Sequence, residues 1–465
     1  MRLFNRYFSR ADMILLLGDV AMATFAIWAV HTVRHVTGLT PTNWSQWAVQ
    51  GEGIAALVVV SFYYSDLYVI DQTIPRSEFV LRLANGLGIA CLAIGGVGLV
   101  IPGLGFQKLY LIEMLLVGIG LFSWRIAFVR MLEKVRVRCK VLIVGTDRIA
   151  TLVAEELCRR KHLGMQVVGF IGSQDGQMTL SYGNPVQLSL PVFSKRSTFE
   201  VVEREGVSQI LVEGEGSCDG FPAQELVTLR LKGMPIEECH SFYERLTSRI
   251  PIWDLQPGWI ALSKGFRRSH WNLFLKRFID ISVSALGLVV TSPITIVTAV
   301  AIKLDSSGPV FFRQERSGQN ERPFILYKFR SMVDNAEDQS GPVWAATNDP
   351  RVTRVGRIIR KLRIDEFPQM INVLKGDMSY VGPRPERPFF VSRLKEKIPY
   401  YHLRLSVKPG ITGWAQILYE YGDSDESTTK KLEYDLYYLK YMSPLFDLQI
   451  LFETFKVVIF GRGAR

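Results

Sequence analysis

The side chains best suited to chemistry sit in one stretch, residues 354–386, RVGRIIRKLRIDEFPQMINVLKGDMSYVGPRPE. It opens with a basic amphipathic run, in which Val355, Ile358, Ile359 and Leu362 recur at helical spacing between Arg354, Arg357, Arg360, Lys361 and Arg363. Asp365-Glu366-Phe367-Pro368 then reads as a helix start. The helix that follows carries apolar Phe367, Met370, Ile371 and Leu374 and stops at Lys375-Gly376. A carboxylate at a helix N-terminus, ringed by arginines, is expected to have a low pKa and stay ionised. Such a group can cap the helix, bind a divalent cation or attack a phosphorus atom. Capping is the plain alternative, but Arg360, Arg363 and Arg384 bring more positive charge than a cap needs. Gly382-Pro383-Arg384-Pro385-Glu386 adds a rigid turn aiming an arginine, whose fork suits phosphate oxygens.

Two strings, DEFPQMINVLKGDMSYVGPRPE (365–386) and KPGITGWAQ (408–416), resemble the signature of the bacterial sugar transferase family, the monotopic polyprenyl-phosphate phosphoglycosyl transferases. The resemblance runs from about Leu273 to Phe460, with several motifs in order. It implies that Asp365 attacks the β-phosphorus of a UDP-sugar held by Mg²⁺, that UMP leaves, and that undecaprenyl phosphate takes the hexose 1-phosphate from a covalent aspartyl intermediate. Asp365 and Glu366 are then the catalytic pair and the metal ligands, with proton handling the alternative role for Glu366. Arg360 and Arg384 stabilise charge. Arg316, Lys328 and Arg330 border the nucleotide-sugar site. Lys408 stands where family members often have Arg, so charge survives there without bidentate geometry. Asp435 matches a further family position. By analogy with large relatives, the sugar is glucose or galactose and the product feeds exopolysaccharide, capsule or O-antigen synthesis.

The elements around these residues must position them. GPVFFRQERSG (308–318) and RPFILYKFRSM (322–332) read as two strands joined by a polar turn, with Arg313, Arg316, Lys328 and Arg330 leaving the hairpin positive. A solvated basic face is the plain reading of those charges. Asp334, Glu337 and Asp338 read as the start of a surface helix. In KPGITGWAQ, the glycines around Thr412 can expose N–H groups to phosphate or simply make a turn, and Trp414 can stack on a base or lie at an interface. The tail, 430–461, mixes aromatics with lysines. Pro444 divides it into two helices, either packed as a pair or lying in the headgroup plane.

An apolar stretch from Phe278 to Ile302 lies between Lys276-Arg277 and Lys303. Spanning the membrane would send the arginine-rich remainder outside, against the charge rule. Ser292-Pro293 in its middle suggests instead a break, so that the segment 277–303 enters and leaves on one face. The family resemblance implies the same re-entrant hairpin, and an ordinary fifth span is the alternative.

Upstream, apolar runs dominate 13–30, 54–70, 86–104 and 109–129, each long enough to cross a bilayer or nearly so. Arg2, Arg6 and Arg10, then Arg76 and Arg82, then Arg125, Arg130, Lys134, Arg136 and Arg138 flank one side. The connections near 37–53 and 102–108 are nearly bare. Both ends of this bundle are therefore expected in the cytoplasm of a bacterial inner-membrane protein. The net charge of +11 fits a protein lying on anionic lipid, and no nucleic-acid-binding motif accompanies it. Five scattered cysteines, Cys91, Cys139, Cys158, Cys218 and Cys239, read as reduced thiols.

From Cys139 strands and helices alternate: 139–146, 149–160, 165–172 and 207–213, and on to about residue 249. That pattern predicts a Rossmann-like α/β domain. Asp147 stands where the dinucleotide fingerprint wants glycine, so a domain without cofactor is expected. The layout read is a four-helix transmembrane bundle (1–135), the Rossmann-like domain (136–250), a linker (251–271) and the transferase module (272–465). This is an α/β fold plus membrane helices, with a homodimer through the front half as the expected assembly. A nucleotide-sugar dehydratase is excluded, because no Tyr has Lys four residues on. A non-catalytic scaffold binding lipid-linked sugars is the remaining alternative. It predicts a lost Asp-Glu pair or GPRP loop, and both are present.

Overall fold

The computed structural model describes residues 2–3, 6–7, 10–36, 44–65, 67–68, 76–100, 110–134, 139–160, 163–173, 175–181, 187–194, 198–213, 222–253, 255, 258, 260, 263, 265–266, 269–334, 349–419 and 424–459. The connections near 37–43 and 102–108, and Cys218, Glu337 and Asp338, lie outside these. Two compact units emerge, Met1–Leu3 with Tyr7–Cys239 and Phe4–Arg6 with His240–Arg465.

The first unit begins with four helices, α1 (Arg10–Val36), α2 (Trp44–Tyr64), α3 (Arg76–Val100) and α4 (Tyr110–Lys134). They pack α1 on α2 and α4, and α3 on α2 and α4. Their shared core is Ala23, Ala55, Val58, Phe62, Leu83, Ala90, Val117 and Leu121. Glycines let them close up: a Cβ on Gly18 would strike the Trp124 ring, and one on Gly118 the Leu87 side chain. Leu17, Phe25, Trp28, Leu81, Leu92 and Ile119 point outward. Arg125, expected among the flanking cations, is buried inside α4, where it pairs with Asp19 of α1 and lies over the rings of Phe62 and Tyr68. It therefore does not count toward the flanking charge. The apolar segments within these helices are Met13–Ala26, Ala55–Tyr64, Val80–Ala93 and Leu116–Phe128.

The same unit holds a six-stranded sheet of β1 (Cys139–Val144), β2 (Met165–Gly172), β3 (Gly176–Ser181), β4 (Gln187–Ser194), β5 (Gln209–Val212) and β6 (Ile236–Glu238), in spatial order β3-β4-β2-β1-β5-β6, with helices α5 (Arg148–Arg159), α6 (Thr198–Glu205) and α7 (Ala223–Leu231) in its connections. All pairs are parallel except β3 with β4. Continuous apolar runs such as Val141–Val144 are buried, as a parallel sheet requires. After β1, Gly145 adopts φ +122°, and the Glu213 carboxylate fills the space a Cβ would need. Asp147 N–H donates to that carboxylate at 3.3 Å. The turn that would cradle a pyrophosphate thus faces an anion.

Residues 240–250, read as the end of this domain, belong to the second unit. Phe242, Tyr243 and Leu246 of α8 (Cys239–Thr247) are buried, Lys440 Nζ pairs with Glu244 at 2.7 Å, and Trp414 Nε1 donates to Ser248 O at 3.2 Å. Ile252 and Leu255, in the stretch read as a linker, also enter that core.

The second unit is organised on α9 (His270–Asp305), 36 residues long. Among the described residues it is the one helix long and apolar enough to cross a membrane, by length and composition. It passes through Ser292-Pro293 as a single element, without the gap expected there, and Ser292 Oγ donates to Val289 O at 2.7 Å. Its first half is tied down by Arg277 to Val373 O and Leu374 O, and by Asp280, which accepts from Ser379 Oγ and Tyr380 N. Its last turns pack Ala299 and Ile302 against Phe329, Ile359, Ile364 and Phe367. Between these anchors Val289, Val290, Ile296 and Val297 are exposed.

The hairpin appears as read, β7 (Phe311–Ser317) antiparallel to β8 (Pro323–Phe329). Then come α10 (Arg354–Lys361), a 3₁₀ turn (Ile364–Glu366), α11 (Gln369–Lys375), β9 (Ser379–Val381), α12 (Pro388–Lys397), β10 (Gly410–Thr412), α13 (Trp414–Leu418), α14 (Asp425–Tyr441) and α15 (Pro444–Ile459). Only part of the amphipathic pattern in α10 is core: Ile359 is buried, while Ile358 and Leu362 are exposed. α14 is a packed helix with Leu432, Leu436, Tyr437 and Tyr438 in the core, whereas α15 turns Leu445, Leu448, Phe452 and Phe455 outward.

β9 pairs parallel with β10. Added side chains on Gly382, Gly410 and Gly413 would all strike the facing loop backbone. We therefore predict that Gly410→Ala destabilises this unit by about 1–3 kcal/mol or more. A thermal melt in detergent checks this, and an unchanged melting temperature would contradict it.

Candidate active site

Asp365 and Glu366 lie on the 3₁₀ turn between α10 and α11, not at the head of α11, which starts at Gln369 behind Pro368. The expected helix cap is thus absent. The turn is instead launched by Arg363, held left-handed at φ 58°, a conformation costly for a non-glycine residue and concentrated at functional sites. The stop is as read: Gly376 at φ 95° donates back to Asn372 O and Val373 O. Asn372 ties α11 to β8, accepting from Tyr327 N at 3.1 Å and donating to Ile325 O at 2.7 Å.

Both carboxylates are buried, and their surroundings differ. Lys328 Nζ at 3.0 Å, Arg384 Nη2 at 2.8 Å and Arg363 Nη1 at 3.9 Å all converge on Glu366 Oε1. Among the described residues nothing hydrogen-bonds or ion-pairs with Asp365. Burial pushes the Glu366 carboxyl up, but Arg384, Lys328 and Arg363 outweigh it and hold the group well below the usual carboxylate range. Asp365 goes the other way. Burial raises it most, Glu366's negative charge adds to that, and Lys328, Arg363 and Arg384 only partly compensate. The low pKa expected for Asp365 is therefore corrected: burial, helped by the Glu366 charge, raises it more than the nearby cations lower it.

Arg384 is set from several sides. Its Nη1 donates to Gln416 Oε1 at 3.2 Å, and its carbonyl accepts from Arg404 Nη2 at 3.0 Å. Arg404 is buried, donates to the Tyr401 hydroxyl and pairs with Asp435 at 3.0 Å. Burial pushes Asp435 up to about 6 despite that pairing.

Other residues proposed from the sequence lie away from the pair. Arg316 braces the arginine loop, donating to Pro385 O at 3.0 Å and pairing with Glu386 at 3.7 Å. Arg330 is buried at the end of α9, donating to Ser306 O and Oγ. Arg360 pairs with neither carboxylate; its charge acts on Asp349, which a hydrogen bond from Arg351 chiefly lowers to about 2. Lys408 points toward the far end of α11, 3.7 Å from where a Cβ on Gly376 would stand. Burial first, and Arg277 next, lower its pKa. Trp414 is core, stacked on Tyr437, so the plain-turn reading of KPGITGWAQ holds for its tryptophan. Ser292 and Pro293 remain within α9.

Sequence reasoning missed Arg404, Asn372, Asp280 and Gln416. Asp280 left a trace, a carboxylate inside an apolar run. Asn372 and Gln416 lie inside the two signature strings, which assigned them no role, and Arg404 left no trace, since its value lies in contacts far along the chain.

Two carboxylates with one unengaged group suit a metal that takes one or two protein carboxylates and completes its shell with phosphates. Among the described residues no group of three His, Cys, Asp or Glu could hold a metal unaided.

Residues 271–461 match the bacterial sugar transferase family. The chain is 42% identical over 188 residues to the exopolysaccharide production protein PSS of Rhizobium leguminosarum bv. phaseoli, covering 39% of this chain and 94% of that one. The chain belongs to the bacterial sugar transferase family. It is also 44% identical over 240 residues to UDP-N-acetylgalactosamine-undecaprenyl-phosphate N-acetylgalactosaminephosphotransferase of Aeromonas hydrophila, covering 52% of this chain and 56% of the relative. Identity to undecaprenyl-phosphate glucose phosphotransferase of Komagataeibacter xylinus is 34% over 341 residues, 71% of this chain and 60% of the relative. The chain thus spans little more than half the length of these last two sugar transferases.

The split pair predicts opposite stability effects. Asp365→Asn removes a buried charge without a partner and should raise the melting temperature slightly. Glu366→Gln leaves Lys328 and Arg384 facing each other and should cost about 3–5 kcal/mol. Melts of both variants in one detergent check this, and equal shifts would contradict the split.

Proposed function

We propose that the chain transfers a hexose 1-phosphate from a UDP-sugar to undecaprenyl phosphate, the entry step of a membrane-linked polysaccharide assembly. The observation that carries this reading is the division of labour between adjacent carboxylates: Glu366 is clamped by Arg384 and Lys328 while Asp365 stays unengaged. An unengaged, poorly solvated carboxylate is a better nucleophile than one in an ion pair. The names of the sugar phosphotransferases it resembles support the lipid acceptor.

In the first half-reaction an Asp365 oxygen bonds to the β-phosphorus, the bond from that phosphorus to the bridging oxygen breaks, and UMP leaves with both electrons. In the second, an oxygen of the lipid phosphate attacks the same phosphorus and returns Asp365 as a carboxylate. Arg384 and Lys328 are in place to offset the charge that builds on the phosphoryl oxygens. Magnesium, when bound, would neutralise the diphosphate, with Asp365 and Glu366 as its protein ligands.

The chain is read as a membrane protein with its chemistry on the cytoplasmic face. Outward apolar side chains on α1, α3 and α4 suit lipid, and the exposed middle of α9 suits a segment that dips into the bilayer. Both halves of α9 dock on the same unit, 277–280 on α11 and β9, and 299–302 beside the 364–366 turn. That arrangement favours entry and exit on one face over a straight span. The Glu213 carboxylate in the β1 turn favours a Rossmann-like domain that works without a dinucleotide.

The reaction is tested with purified protein in nanodiscs, Mg²⁺, undecaprenyl phosphate and a panel of UDP-sugars. UMP release from one donor, abolished by Asp365→Ala and by EDTA, is expected. UDP release would mean glycosyl rather than phosphoglycosyl transfer, and no release would favour a scaffold. A pH profile adds a second check. Lys328 is the cation that most lowers Asp365, so Lys328→Met should move the acid limb of kcat/KM to higher pH. An unmoved limb would separate Lys328 from the nucleophile.

A further inference from the structure

We infer that Gln416 is a donor-binding residue whose side-chain N–H holds a phosphoryl oxygen of the diphosphate; this rests on the reading above. Its carboxamide is oriented by chemistry. Oε1 accepts from Arg384 Nη1 at 3.2 Å, and the flipped amide would set N–H donors against a guanidinium that can only donate. Nε2 therefore sits beside Oε1 on the same carboxamide and does not bond to Arg384. There it is shielded from solvent and has no hydrogen-bond partner among the described residues. A buried amide donor left unmade is costly, and native structures rarely keep one without a reason.

The place tells what acceptor fits. Arg384 connects Gln416 directly to Glu366, and Lys328 reaches that same Glu366 oxygen. An acceptor arriving beside two cations is most stable as an anionic oxygen. A neutral carboxamide adds a donor without adding a further cation, which would lower Asp365 and blunt it as a nucleophile. The residue is also rigidly presented. It sits on α13 two residues after Trp414, which is locked in the core, and Gly413 fits tightly against Gly382 O. A role confined to orienting Arg384 would need only the oxygen, and glutamate would perform it better.

The test is calorimetric titration of UDP, in Mg²⁺, into the full chain in nanodiscs, comparing wild type, Gln416→Glu and Gln416→Met, with uridine as the control lacking phosphate. Both variants should bind UDP about 10- to 100-fold more weakly, with uridine binding unchanged and melting temperatures near wild type. Wild-type UDP affinity in both variants overturns the inference. So does loss in Gln416→Glu alone, which would reflect charge repulsion, or an equal loss for uridine. A wild type that binds UDP yet releases no UMP sinks the transfer reaction and leaves the Gln416 contact standing. A wild type that fails to bind UDP sinks the inference itself.

Discussion

Two carboxylates side by side in a buried turn cannot both be charged unless cations are built around them. Here the cations are shared unequally. Lys328 comes from the β8 strand, Arg363 from the strained start of the turn and Arg384 from the loop after β9, and all three meet one oxygen of Glu366. Much of the second unit's architecture follows from bringing three distant segments to that point. The hairpin supplies Lys328, the left-handed Arg363 turns the chain so that neighbouring carboxylates diverge, and the Gly-Pro-Arg-Pro loop delivers a guanidinium.

Holding Arg384 is the harder task, because a long side chain loses much entropy when fixed. The fold meets it by pinning the loop from below. Gly382 and Gly410 let the two loop backbones touch, Arg316 grips Pro385 and Glu386, and Arg404 reaches the Arg384 carbonyl from a buried pair with Asp435. Asp435, a family position of uncertain role in the sequence, thereby acquires a structural purpose three contacts away from Glu366.

Much of the fold was legible because it depends on local pattern. The strands at 139–144 and 165–172, the 311–329 hairpin, the stop at Gly376 and the helix division at Pro444 all follow from periodicity and from what Gly and Pro do to a backbone. Less of the site was legible. Arginines near Asp365 in sequence looked equivalent, yet Arg360 pairs with neither carboxylate and Arg330 donates at the end of α9, because helix and strand phase decides where each points. Arg125 looked like a flanking charge and is a buried partner of Asp19. Residues 240–250 continued an α/β rhythm, while Ile250 joins the core formed with α14 and Glu244 pairs with Lys440, 196 residues on. Contacts across such separations leave no mark on local composition.

The proposed reaction requires Asp365, and not Glu366, to form the bond to phosphorus. The most direct measurement is mass spectrometry of protein incubated with its UDP-sugar and Mg²⁺ without lipid acceptor, then acid-quenched and digested. A sugar-phosphate adduct on the peptide bearing Asp365, localised to that side chain, absent from Asp365→Asn and discharged by undecaprenyl phosphate, is the predicted result. An adduct on Glu366, or lipid product formed with no adduct on either residue, would contradict it.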